Sequence, residues 1–99
     1  MCGILAIIGN TLPVSLELAD RALDTLAHRG PDDRGVWCAE SAWLGHRRLS
    51  IIDTSYAGHQ PMVDEATGVA LTFNGEIYNY IELKLELEAL GHQFHSHSD

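Results

Sequence analysis

Ninety-nine residues, 45% of them hydrophobic and 20% charged, suit one small globular domain with a single core. A net charge of -8 argues against a nucleic-acid partner and against docking on anionic lipid, since both need a basic face. Two cysteines, Cys2 and Cys38, make no disulfide framework, and the apolar run Ile4–Ile8 is too short to span a membrane and has no basic segment before it. A cytoplasmic protein with free thiols is the expectation.

Cys2–Gly9 (CGILAIIG) is apolar throughout and closes on Gly9-Asn10, which predicts a buried strand. Pro13–Ala27 places Leu16, Ala19, Leu23 and Leu26 three or four apart, the spacing of one apolar helix face, with Ser15 or Thr11 as the capping residue. Ala27–Gly35 (AHRGPDDRG) reads as a loop, because Gly-Pro ends a helix and Pro-Asp-Asp is turn chemistry. Val36–Ala39 and Ala42–Leu49 predict two strands joined at Glu40-Ser41, the second extended by Ser50–Asp53. A long irregular loop covers Thr54–Met62, and Val69–Phe73 predicts a strand between Gly68 and Asn74-Gly75.

Asn79–Leu90 predicts a helix with Asn79 and Glu82 as a capping box, Tyr80, Leu83, Leu87 and Leu90 as its buried stripe, and Gly91 as a left-handed C-terminal cap. Phe94 is expected to begin one more strand. The order β-α-β-β-β-α-β is an α+β pattern. Because the chain stops at Asp99 where that strand would run, a domain incomplete at its C-terminus is expected over residues 1–99.

Cys2 is the residue richest in chemistry. With Met1 removed, it would carry a thiol and a free α-amine together. Such an amine titrates near ~7.7–8 and can serve as a base beside the sulfur. His95-x-His97 sets two imidazoles on one face of a strand, and with Cys2 or Cys38 they would make a zinc site. No CxxC or HExxH partner motif accompanies them, so a polar strand edge is preferred and no metal is expected.

Four stretches stand out together: MCGI at 1–4, HRGPDD at 28–33, LGHRRLSIID at 44–53 and FNGEIYNY at 73–80. GHQPM at 58–62 and SHSD at 96–99 accompany them. In order and spacing they resemble the N-terminal glutaminase domain of the class II glutamine amidotransferases, which are N-terminal-nucleophile hydrolases. Within that class the chain is most similar to asparagine synthetases of the glutamine-hydrolysing type.

The resemblance implies the N-terminal part of a four-layer αββα sandwich and hydrolysis of glutamine to glutamate and ammonia. It implies Cys2 as nucleophile, with the Asn74 side chain and Gly75 N–H as oxyanion hole. Arg48 would hold the α-carboxylate, a task suited to a guanidinium fork. Asp99 and Glu76 would recognise the amino-acid end, Asp99 as the partner of the ammonium, and backbone groups of Leu49 to Ile52 would line the pocket. Arg47 is expected to be a solvated charge. Arg29, Asp32 and Asp33 are expected to fix loops near the terminus. No cofactor is expected in this chain. ATP and Mg belong to a C-terminal synthetase domain, the implied partner, and a homodimer is possible on the same grounds. Three readings stay open: a glutaminase feeding aspartate or another carboxylate acceptor, an inactive interaction module of this ancestry, and a small metal-binding domain.

Overall fold

A computed structural model describes residues 1–11 and 14–99. β1 (Gly3–Ile8), β2 (Asp33–Cys38) and β3 (Ala42–Arg48) form an antiparallel sheet in the order β1-β3-β2. Glu40-Ser41 turn the chain between β2 and β3, with Ala39 N–H donating to Ala42 O at 2.7 Å. The strands' alternation gives the sheet two different faces. Trp43, Gly45 and Arg47 of β3 share one face with their partners Gly3, Leu5 and Ile7 of β1, and Leu44, His46 and Arg48 share the other.

α1 (Leu16–Asp24) covers the first face. Ser15 caps it by accepting from Leu18 N–H at 3.2 Å. Ala19, Leu23 and Trp43 form the buried apolar cluster, with Leu5, Ile7, Val14 and Leu26 packed around it. Gly45 has no side chain because Trp43 and Leu23 occupy the space that a Cβ would take. The helix is shorter than Pro13–Ala27. After Asp24 the chain passes into turns, and the expected start at Pro13 lies outside the described residues.

β4 (Met62–Asp64) and β5 (Val69–Leu71) pair in a second, two-stranded sheet, whose flanking residues meet the other face of the first. His46 Nδ1 lies 2.7 Å from Thr72 Oγ1 across the gap, and Gly35 gives room to the carbonyl of Gln60 and the ring of His59. β4 escaped the sequence reading because three residues carry too little pattern. Ser50–Asp53 do not extend β3. Arg48 ends the strand, Asp32 Oδ2 accepts from Ser50 N–H at 2.8 Å, and the chain turns away into a short 3₁₀ turn at Tyr56–Gly58.

α2 (Tyr80–Ala89) forms as expected but buries no residue. Its sequence alternates Ile81, Leu83, Leu85, Leu87 with Glu82, Lys84, Glu86, Glu88, a period of two that scatters apolar side chains around a 3.6-residue turn. Leu83 and Leu87 are partly screened, at 39% and 37% exposed, while Leu90 is 77% exposed. Asn79 makes no capping bond, against the capping-box expectation. Gly91 takes a φ of +95°, the left-handed conformation of a C-terminal cap. Residues 92–99 form no strand, so the expectation at Phe94 is not met. Instead Lys84 reaches over the Phe94 ring and donates to Ser96 O, and the tail folds back along α2. Among the described residues no helix is long and apolar enough to cross a membrane.

Candidate active site

β1 and β3 run antiparallel with Gly3 opposite Arg47, so Cys2 emerges beside Arg48 at one end of the sheet. Cys38 pairs with Trp43 at the opposite end and is exposed. Leu49 N–H donates to Cys2 Sγ at 3.3 Å, and the thiol points back at Leu49 O at 3.7 Å. The Cys2 carbonyl accepts from Arg29 Nε at 3.1 Å and from Asn74 Nδ2 at 3.2 Å. These bonds fix the terminus to the loop after α1 and to the segment after β5.

The thiol opens on a cavity of about 490 Å³. Cys2, Arg48, Leu49, Ile52, Asn74, Gly75, Glu76 and Asp99 all line it. They come from four separate stretches of chain. Asp99 Oδ2 accepts from Ile77 N–H at 2.6 Å, which holds its carboxylate against the loop that carries Glu76. Arg48 is 7% exposed, and its guanidinium donates to the carbonyls of Ser55 (2.7 Å) and Asp53. Gly58 leaves the space that the guanidinium fills. A guanidinium has more N–H donors than these two carbonyls use, so Arg48 keeps donors for a further acceptor.

Arg47 departs from expectation. On the α1 face its side chain is only 16% exposed, 3.9 Å from Asp24, and its Nε is buried with no hydrogen-bond partner among the described residues. It is a packed cation rather than a solvated one. Asp24 and Asp20 bind Arg34 more closely, at 3.1 and 2.5 Å. Asp32 and Asp33 fix loops: Asp32 holds Ser50 N–H, and Asp33 Oδ2 lies 2.6 Å from His59 Nδ1.

Sequence reasoning passed over Asp53, His46 and Gln60. Asp53 is 6% exposed and accepts from Ser55 N–H at 2.8 Å and His97 N–H at 2.9 Å. Hydrogen bonds from Ser55 and then from the His97 backbone hold its carboxyl down at about 2. It thereby ties the tail bearing Asp99 to the loop that clasps Arg48. Gln60 lines the cavity and accepts from Phe73 N–H through Oε1 at 2.6 Å. All three stood inside quoted motifs, but only spatial proximity shows what they bind. His92, His95 and His97 are exposed, and no three His, Cys, Asp or Glu side chains cluster to hold a metal among the described residues.

The family model described as glutamine amidotransferase domain matches residues 1–99. An asparagine synthetase [glutamine-hydrolyzing] of Zea mays is 46% identical over 102 residues, covering all of this chain and 17% of that protein. Asparagine synthetase [glutamine-hydrolyzing] 3 of Bacillus subtilis (strain 168) is 42% identical over 103 residues, again all of this chain and 17% of the relative. Amidase chry2 of Gibberella zeae is 44% identical over 101 residues, 88% of this chain and 15% of that protein. The chain therefore spans a small part of the length of the curated relatives it matches, and it belongs to the glutamine amidotransferase domain family.

Proposed function

We propose that this domain hydrolyses glutamine to glutamate and ammonia, with Cys2 as nucleophile once Met1 is removed. One observation carries the reading: a thiol, an amide donor, a guanidinium and two carboxylates from four stretches of chain converge on one cavity. Thiol, guanidinium and carboxylate are the groups that attack a carboxamide and grip an amino acid's two charged ends. The thiol gives its proton to the freed α-amine of Cys2, and sulfur bonds to the side-chain carbonyl carbon of glutamine. The oxyanion is held by Asn74 Nδ2 and Gly75 N–H. For this, Asn74 exchanges the Cys2 carbonyl for the substrate oxygen. The carbon–nitrogen bond then breaks, ammonia leaves with the proton from the amine, and water hydrolyses the thioester to glutamate. Arg48 holds the α-carboxylate with its remaining donors, Asp99 holds the α-ammonium, and Glu76 and the Leu49–Ile52 backbone complete the pocket.

The ammonia would pass to a synthetase part of a longer cytoplasmic protein, where ATP and Mg would activate an acceptor carboxylate, aspartate by likeness to the asparagine synthetases. The domain would form part of a four-layer αββα sandwich, a reading supported by the cover of α1 on one face of the first sheet. The amidase relative matches over the same kind of segment, so a different acceptor is the second reading. The test is glutamate release by the protein with its natural extent of chain. Cys2→Ala should abolish glutamine-dependent turnover and leave ammonia-dependent synthesis intact, whereas Cys38→Ser should keep turnover. Labelling of Cys38 rather than Cys2 by an electrophilic glutamine analogue would overturn the assignment.

A further inference from the structure

Residues 72–74 are tied down at three successive positions by three different segments. Thr72 Oγ1 lies 2.7 Å from His46 Nδ1, Phe73 N–H donates to Gln60 Oε1 at 2.6 Å, and Asn74 Nδ2 donates to Cys2 O at 3.2 Å. His46 stands two residues before Arg48 on the same face of β3, just as Thr72 stands two residues before Asn74. His46–Thr72 is thus the rung beside the one on which Cys2, Arg48 and Asn74 meet.

The ring of His46 is 1% exposed, and its Nε2 has no partner among the described residues. A buried polar atom without a partner costs stability that an apolar side chain of similar size would not incur. Packing alone therefore gives no reason for an imidazole here; the bond at Nδ1 does. A buried N–H without an acceptor is rarer than a bare lone pair, which assigns the proton to Nδ1, donating to Thr72 Oγ1. Burial and the nearby Arg48 charge keep the ring neutral down to about 4.

We propose that His46 is a positioning residue for glutamine hydrolysis, fixing Thr72 and through it the oxyanion donor Asn74 at a set distance from Cys2 and Arg48. The inference rests on the glutaminase reading above. A substrate gripped at Arg48 and attacked at Cys2 has its carbonyl oxygen at one place only, and Asn74 can stabilise charge there only if residues 72–74 keep their distance from β3.

The test is steady-state glutaminase kinetics on the protein with its natural extent of chain, together with the folded fraction by circular dichroism. Thr72→Val keeps the side chain's shape and removes its acceptor. It should lower kcat by about 10- to 100-fold with glutamine KM within about twofold. Thr72→Ser should restore most of kcat. His46→Asn sets an amide nitrogen near the place of Nδ1 and should also retain it, whereas His46→Gln, with its amide near Nε2, should behave like Thr72→Val. In an Asn74→Ala background Thr72→Val should add less than about twofold, because the two act through one donor. Unchanged kcat in Thr72→Val, equal kcat in the Asn and Gln variants, or a loss fully additive with Asn74→Ala would each overturn the proposal. Absence of glutaminase turnover in the unaltered protein, by contrast, would overturn the functional reading and the inference with it.

Discussion

Ala19, Leu23 and Trp43 all lie where α1 covers the sheet β1-β3-β2, whereas α2 buries no residue and β4 is exposed along its whole length. One layer is held by apolar packing; the other is held to it by directed polar bonds. Those bonds include His46 to Thr72, Cys2 to Asn74 and Asp53 to His97. The candidate site straddles this seam. Cys2 and Arg48 come from the packed layer, while Asn74, Gly75, Glu76 and Asp99 come from the thin one. On the proposed reading the nucleophile has the rigid support, and the groups proposed to bind glutamine sit where net stabilisation is only about 0.5–1.5 kcal/mol per hydrogen bond.

The sharpest way to break this contrast is to delete the same side chain from each helix. Leu23 is fully buried, and Leu23→Ala should destabilise the chain by about 2–5 kcal/mol. Leu85 is 63% exposed, and Leu85→Ala should change stability by no more than about 0.5 kcal/mol. Urea unfolding of both variants gives the comparison, and similar losses would mean that α2 is packed after all.

Acid should act on the seam before it acts on the α1 layer. An unfolded histidine binds its proton near 6.5, but His46 refuses one until about 4, through burial first and the Arg48 charge second, with Asp33 opposing and His59 adding. Between those values the unfolded chain holds a proton that the folded chain lacks. Stability therefore falls as pH falls, by up to about tenfold in the folding constant per pH unit. Asp53 adds a lower limb: its stabilisation is complete above 3.8 and is lost as pH falls through about 2. Unfolding midpoints measured at pH 7, 5.5 and 4.5 should drop in the unaltered chain and drop less in His46→Asn. Equal slopes would place the titrating group elsewhere.

The same division decides what could be read from the residues alone. The apolar spacing of Ala19 and Leu23, the Glu40-Ser41 turn and the Ser15 cap are local, and each lies where propensity and packing agree, whereas Leu16, expected on the same face, is 54% exposed at the first turn. Gly91 was legible because a left-handed residue after a leucine-rich helix has a short list of candidates. α2 was legible as a helix from its Leu, Glu, Lys and Ala content but not in its burial, since a two-residue alternation gives no single face. The extension of β3 through Ser50–Asp53 failed because Asp32 captures Ser50 N–H and Asp53 turns toward Ser55 and His97. For the candidate site, the motifs named the residues that the cavity gathers, but the struts behind them depend on contacts 26 and 44 residues apart in sequence. No window along the chain contains such a pair.

The smallest effect separates the two helices at their first turns. Ser15 Oγ accepts from Leu18 N–H at 3.2 Å, satisfying a donor that the helix itself cannot. Asn79 occupies the equivalent place before α2 with φ −102° and ψ 29°, and its side chain makes no such bond. A capping side chain reaches the N–H of the second or third helical residue from an extended backbone, and Ser15, at φ −66° and ψ 151°, has one. Ser15→Ala should therefore cost about 1 kcal/mol, within the usual range of roughly 0.5–2 for a lost cap. Asn79→Ala should stay within about 0.5 kcal/mol, because it removes nothing from the helix end. Paired urea titrations of the two variants measure the difference directly. A larger loss at Asn79 than at Ser15 would show that α2 has a capped and ordered first turn, and that the thin layer is better held than its lack of buried residues implies.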